Sequence, residues 1–280
     1  NSRAKTRHYA APDDVPGRMH SDIKRIVRAA SGAQPILLWD HPDSKMTRRQ
    51  EYAGYKAERD DKPAAEAAVR NCVQYFKDKY PYWFHPQYEA DDLLATLSLR
   101  FPDIPMLIFS NDKDMFALLG GPAIRQQLRS LQGPDSEWEF YTAEMVEQRF
   151  GIKFHQYVEY RALVGDSVDG VPGIKGIGDT TAVKIFQRYD TIAEAVRNID
   201  EVPILPRFRK LLLAGWSDGT FAKMLSLVTF RTFKDELPPG IVSAIQATRR
   251  MGYRTRHNNT LESVLQVGLV RPASASLPPF

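Results

Sequence analysis

Met106-Leu107-Ile108-Phe109-Ser110-Asn111-Asp112-Lys113-Asp114 is an apolar run that ends in two acids spaced two apart. Such a run followed by turn-forming residues predicts a buried strand leaving the sheet into a loop. In open α/β sheets, ligands gather at the loops beyond the carboxyl ends of strands. The stretch at 35–40 repeats the pattern, with Ile36-Leu37-Leu38-Trp39 closed by Asp40. Further strands are expected over 82–85, 123–128 and 138–141. Helical patterns lie between or before them, over 19–30, 63–80, 91–100 and 113–119. Strands alternating with helices predict an α/β fold with a mostly parallel central sheet flanked by helices.

From Thr142 onward the pattern changes to helices alone, over 143–150, 154–164, 180–189, 192–198, 206–214 and 220–228. The expected organisation is an α/β core over 1–142, a helical half over 143–235 and a basic C-terminal tail over 236–280, whose last ten residues, 271–280, are expected to fray. The chain of 280 residues is 43% hydrophobic and can bury one good core with a smaller satellite. No apolar run approaches the roughly 18 residues of a membrane span. With one cysteine, Cys72, neither a disulfide framework nor a zinc site is expected, and a cytoplasmic monomer away from membranes is. The formal charge of +4 hides an acidic centre over 60–169 with basic flanks. That asymmetry suits a polyanionic substrate.

Eight carboxylates stand out: Asp40; Glu89, Asp91 and Asp92; Asp112 and Asp114; Asp166 and Asp169. Acids in a first helical turn are also common caps, and aspartates favour turns, so each group alone has a structural reading. Together they constrain one another. Gathering so many acids without cations would force several to stay protonated. Bound Mg²⁺ or Mn²⁺ removes that conflict, because hard cations take oxygen-only ligands. Two such ions can activate a water and stabilise a leaving oxygen.

Two more stretches point to nucleic acid. Val171-Pro172-Gly173-Ile174-Lys175-Gly176-Ile177-Gly178-Asp179-Thr180 is a glycine-rich hairpin opening into a helix, whose free N–H groups can meet a phosphate backbone. No strand precedes it, which argues against a dinucleotide site. The stretch Arg48-Arg49-Gln50-Glu51-Tyr52-Ala53-Gly54-Tyr55-Lys56-Ala57-Glu58-Arg59 interleaves basic and aromatic residues with little aliphatic content. It reads as a segment outside the core, suited to single-stranded nucleic acid; a solvent-facing helix with ion pairs is the alternative.

In this order, from about Pro35 to Val228, these motifs resemble the 5′-nuclease family: flap endonucleases, phage 5′-exonucleases and the N-terminal domain of bacterial DNA polymerase I. The resemblance implies a PIN-like core and a helix–three-turn–helix that grips duplex DNA, often with K⁺ on backbone carbonyls. It implies two or more Mg²⁺ or Mn²⁺ ions on the eight acids. It places 43–62 in a helical arch, with Lys56 and Arg59 on the scissile phosphate and Tyr55 stacked near the cleaved nucleotide. Expected DNA contacts are Arg48, Arg49, Lys56, Arg59, Gly173, Lys175, Gly176, Gly178, Thr180 and Lys184. The implied reaction is hydrolysis of branched or 5′-ended DNA to leave a 5′-phosphate, with RNA–DNA hybrid as a further substrate to test. The alternatives are a catalytically silent DNA-junction binder and a PIN-type ribonuclease. The family opens with a strand ending in an aspartate, whereas this sequence starts at Asn1-Ser2-Arg3. About eight to ten further residues upstream are therefore expected, a strand being typically five or six residues.

Overall fold

The apolar run at 106–109 forms strand β3 (Met106–Phe109), and its carboxyl end is pinned by a residue from the neighbouring strand. Gln127, fully buried on β4 (Arg125–Ser130), donates its side-chain amide to the carbonyls of Ser110 at 2.8 Å and Asp112 at 2.7 Å. The chain is seen as a computed structural model that describes residues 15–30, 33–57, 63–121, 125–130, 138–250 and 270–272. Within these residues β1 (Leu37–Leu38) pairs in parallel with β2 (Tyr82–Trp83). A second sheet runs β3-β4-β5-β6, with β5 at Trp138–Tyr141 and β6 at Val270–Pro272. Its β3–β4 and β5–β6 pairs are parallel and β4–β5 is antiparallel. The parallel character expected from alternating strands and helices is present, and the antiparallel turn marks where the alternation ends.

Helices α1 (Val15–Ala29) and α3 (Pro63–Phe76) pack together, and Ile23, Leu37, Cys72 and Phe76 close a small core between them and β1. Helix α2 (Met46–Glu51) lies between β1 and α3 in the chain, and α4 (Ala90–Arg100) leads into β3. A short 3-10 helix over Asp114–Leu118 follows β3. Beyond β5 come α5 (Ala143–Phe150), α6 (Tyr157–Val164), α7 (Asp179–Phe186), α8 (Ile192–Arg197), α9 (Pro206–Ser217) and α10 (Thr220–Val228). One apolar core runs from Ile108, Met115 and Phe116 through Tyr157 and Leu163 to Leu227. The end of β3 and the helical half are thus fixed to each other by burial, and that is what brings acids from distant stretches of chain together.

The stretch expected as a basic tail from 236 begins with a packed helix: α11 (Pro239–Arg250) buries Ile241 and Ile245 against Trp83, Leu93 and Leu97. The 4-residue spacing of these isoleucines makes one apolar stripe, which basic neighbours had obscured. Within the stretch expected as an arch over 43–62, Arg48, Tyr55 and Lys56 are buried, and residues 58–62 lie outside the described residues. No helix among the described residues is long and apolar enough to cross a membrane.

Candidate metal centre

Helix α4 starts where Glu89 provides an extended N-cap, and its first turn decides which acids are structural. Asp92 is fully buried. Its Oδ1 accepts from Arg48 Nη2 at 2.7 Å and from the Arg231 N–H at 2.8 Å, and its Oδ2 from Arg48 Nη1 at 2.9 Å and the Glu89 N–H at 3.1 Å. Each oxygen already has two donors, so Asp92, expected among the metal ligands, has none to offer a metal. Glu89 accepts from Arg48 at 2.8 Å, from the Tyr55 hydroxyl at 2.8 Å and from Lys56 Nζ at 2.9 Å. Burial would raise its pKa, but Lys56 and Arg48 more than offset this and hold it below the usual carboxylate range.

The same contacts correct the roles expected of Arg48, Arg49 and Tyr55. Arg48 is only 4% exposed and locked to Asp92, so it cannot reach a DNA phosphate. Arg49 donates to the carbonyls of Tyr55 at 3.0 Å and Lys56 at 2.7 Å, which fixes the turn rather than leaving the guanidinium for DNA. Tyr55 is 4% exposed with its hydroxyl on Glu89, so its ring cannot stack on a nucleotide in this arrangement. Lys56 has a left-handed φ of 49° and joins Glu89 to Asp169, whose carboxylate is 3.6 Å from its Nζ. Its N–H also donates to the Asp169 carbonyl at 2.9 Å. Arg59 lies outside the described residues.

Asp91, one position round the helix from Asp92, belongs to a different group. Burial pushes its carboxyl well above the ordinary range, and Asp112, Asp40 and Glu89 raise it further against the pull of Lys56. Asp40 accepts from the Ala90 N–H at 2.8 Å, which places it at the start of α4. Asp112 accepts from the Asp114 N–H at 2.9 Å, an aspartate turn that aims both residues away from the end of β3.

Asp166 and Asp169 come together through a hairpin. Asp166 and Val171 exchange two backbone hydrogen bonds of 2.7 Å, and Asp166 Oδ1 accepts from the Val168 N–H at 2.8 Å. The turn closes only because Gly173, at φ 65°, lies against α6: a Cβ there would meet the Leu163 carbonyl oxygen at 2.5 Å. Carboxylate oxygens of Asp114, Asp166 and Asp169 all lie within 4.8 Å of one another. Burial pushes Asp114 up to about 6, with Asp112, Asp166 and Asp169 raising it and Arg161 opposing them. An all-carboxylate donor set carrying more negative charge than its surroundings neutralise fits a hard divalent cation.

Arg161 on α6 had no place in the sequence reading. Its Nε donates to Asp114 Oδ1 at 3.3 Å, its Nη1 to the Gly165 carbonyl at 3.0 Å, and its Nη2 to Asp166 Oδ2. A single arginine inside a helix carries no spacing signal; its only cue is that it lies one turn before Gly165-Asp166.

The glycine hairpin divides its residues between core and solvent. Gly173, Ile174 and Ile177 are buried, whereas Lys175, Gly176, Gly178, Thr180 and Lys184 are exposed. Gly173 is therefore a packing residue and not the DNA contact expected of it. Gly178 is the N-cap of α7, with exposed Lys175 just before it, whereas exposed Lys184 lies in the last turn of that helix.

Residues 15–151 match the family described as "5'-3' exonuclease, N-terminal resolvase-like domain", and residues 152–233 match "5'-3' exonuclease, C-terminal SAM fold". A 5′-3′ exonuclease of Halalkalibacterium halodurans is 29% identical over 214 residues, covering 73% of this chain and 68% of that protein. A DNA polymerase I of Deinococcus radiodurans is 34% identical over 210 residues, covering 73% of this chain and 21% of the polymerase. The chain thus spans about a fifth of that relative's length. The structure of a bacteriophage T5 flap endonuclease, solved as a pseudo-enzyme-product complex with DNA and metal ions, aligns with a TM-score of 0.61 at 20% identity. The alignment covers 90% of each chain, and at that identity it is a likeness of fold.

Proposed function

From a chain that belongs to the 5′-3′ exonuclease family, we propose a hydrolase that cuts DNA phosphodiesters at 5′ flaps and 5′ ends and leaves a 5′-phosphate. The observation that carries this reading is the approach of Asp114, Asp166 and Asp169 to within 4.8 Å, beside an acid seam with too little compensating charge. Asp114, Asp166 and Asp169 would hold one divalent cation, and Asp91 and Asp112, with Asp40 beside them, a second. Mg²⁺ or Mn²⁺ bound there would supply an activated water and stabilise the departing oxygen.

The chain's own residues do the rest. Lys56 stands between Glu89 and Asp169 and offers positive charge at the edge of the seam, where a phosphate oxygen would lie. Arg48 and Arg49 act at one remove: they hold Glu89 and the Tyr55–Lys56 carbonyls, and so keep Lys56 in place. Lys175, Gly176, Gly178, Thr180 and Lys184 would meet the backbone of the duplex, which positions the DNA without reading its sequence. Carbonyls of that hairpin are the proposed K⁺ site. Chemistry is thus assigned to the α/β part up to about residue 142 together with Asp166 and Asp169, and duplex grip to the helices over 143–235, in a protein acting as a monomer.

The test is cleavage of 5′-labelled flap, nicked, blunt and single-stranded DNA, with RNA–DNA hybrid alongside, in Mg²⁺ or with chelator. Wild type should cut flap DNA in Mg²⁺ and stop in chelator. Asp166→Asn should lose on the order of a thousandfold in rate while still binding flap DNA in Ca²⁺. Full Mg²⁺-dependent activity in that variant refutes the role assigned to Asp166. Binding without cleavage by wild type in either metal would make the chain a silent junction binder.

A further inference from the structure

Arg161 is only 15% exposed at its side chain, and three of its nitrogens are committed inside the carboxylate group. Its neighbours on α6, Tyr157, Tyr160, Ala162 and Leu163, are buried, so the helix cannot roll to move it. The bond to the Gly165 carbonyl ties its plane to the start of the Asp166–Val171 hairpin. A guanidinium held at three points is a preorganised fork for carboxylates.

Each of the three clustered carboxylates already has a protein cation. Asp114 and Asp166 share Arg161, and Asp169 has Lys56. Asp166 has both oxygens engaged, one by Arg161 and one by the Val168 N–H. A divalent cation entering the cluster needs oxygens that Arg161 now occupies, and ligand distances near 2.1 Å leave no room for a donor on the same lone pairs.

We propose that Arg161 is a resident counter-cation of this centre: it holds Asp114 and Asp166 in place while the divalent cation is away, and competes with that cation for them. This rests on the metal-centre reading above. Arg161 is therefore a positioning residue whose removal has two effects of opposite sign. The metal-free centre loses its neutralising partner, and the cation gains free ligands. By linkage, whatever metal binding costs the Arg161 contacts, those contacts cost metal affinity. A residue needed only for packing would weaken both stability and metal binding.

The test is Mn²⁺ titration of the full chain, with free Mn²⁺ read by electron paramagnetic resonance, alongside urea unfolding in chelator. The variants are Arg161→Met, Arg161→Lys and Arg197→Met, the last removing one exposed charge from α8. Arg161→Met should bind its tightest Mn²⁺ at least about fivefold more strongly than wild type, yet unfold at lower urea in chelator. Arg197→Met should match wild type in both. A folded Arg161→Met with equal or weaker Mn²⁺ binding overturns the proposal, as does an equal gain in Arg197→Met, which would make net charge the cause. If Arg161→Met does not fold, Arg161→Lys decides: it keeps the charge but loses the fork, and tighter Mn²⁺ binding supports the proposal while unchanged binding overturns it. Wild type without saturable Mn²⁺ binding removes the metal centre itself. Saturable binding with no tightening removes only the role of Arg161.

Discussion

The acids around Arg48 and the acids around Arg161 are the same residue types, and they differ in how completely the chain neutralises them. Glu89 and Asp92 meet Arg48, Lys56, the Tyr55 hydroxyl and the N–H groups of Glu89 and Arg231. Asp114, Asp166 and Asp169 share Arg161 and a longer contact to Lys56, with Asp91 and Asp112 adding charge nearby. The outcome shows in proton affinity. Glu89 is held below the ordinary range despite its burial, whereas burial and crowding push Asp91 and Asp114 above it. A buried acid with its full complement of donors fixes the fold; a buried acid short of cations is ready for a ligand that brings charge.

The largest expected effect breaks the first group. Arg48→Met strands Glu89 and Asp92 inside the protein, which typically costs about 3–5 kcal/mol. Urea unfolding should show that loss, and Mn²⁺ should not restore it. If Arg48 were instead a DNA contact, stability would stay within about 0.5 kcal/mol of wild type while flap binding fell.

The second prediction runs the other way. Asp114 is pushed up to about 6 in the folded chain against 3.8 for the free side chain. Between those values the folded chain holds a proton that the unfolded chain has released. Stability therefore falls as pH rises through that window, and the cost is complete above it. At roughly 1.4 kcal/mol per pH unit, the cost has an upper bound of about 3 kcal/mol. Asp114→Asn removes it. In chelator the variant should be about 1–3 kcal/mol more stable than wild type at about pH 8, and no more stable at about pH 3.5. Added Mn²⁺ should narrow the difference, because only wild type keeps the ligand. A destabilised variant at the higher pH would show that the Arg161 contact outweighs the crowding.

What could be read from the sequence follows from what is local. The strand at Met106–Phe109 and its acids declared themselves in nine residues. The family pattern was legible for the same reason, since it consists of short motifs in a fixed order. The division of labour among the acids was not legible. Asp91 and Asp92 are neighbours in sequence, and only a partner 44 residues from Asp92 makes one structural while the other stays in the seam. The stretch 48–57 failed as a surface segment because its burial is electrostatic: Arg48 and Lys56 are drawn in by acids 41 and 33 residues away, not by apolar content of their own. Arg161 was invisible because its two carboxylates reach it from the 3-10 helix after β3 and from the hairpin, which meet only in the folded core.

Tyr55 offers the finest test of the comparison, because it touches the neutralised group and little of the other. Its hydroxyl is one of three side-chain donors on Glu89, while Arg48 lies 5.8 Å and Lys56 5.0 Å from the centre of its ring. Tyr55→Phe keeps the ring and both cation contacts and removes one hydrogen bond to a charged acceptor, a loss of about 1–2 kcal/mol. Glu89 keeps Arg48 and Lys56, so it stays charged and metal-free unfolding should be only slightly easier. Mn²⁺ affinity should not change, since the hydroxyl touches none of Asp114, Asp166 and Asp169. A flap-cleavage rate within a few fold of wild type would agree with a buried supporting residue. A loss approaching that of Asp166→Asn, with Mn²⁺ binding intact, would instead mean that the ring leaves Glu89 when DNA binds. The segment at 52–57 would then be the part of this chain that moves.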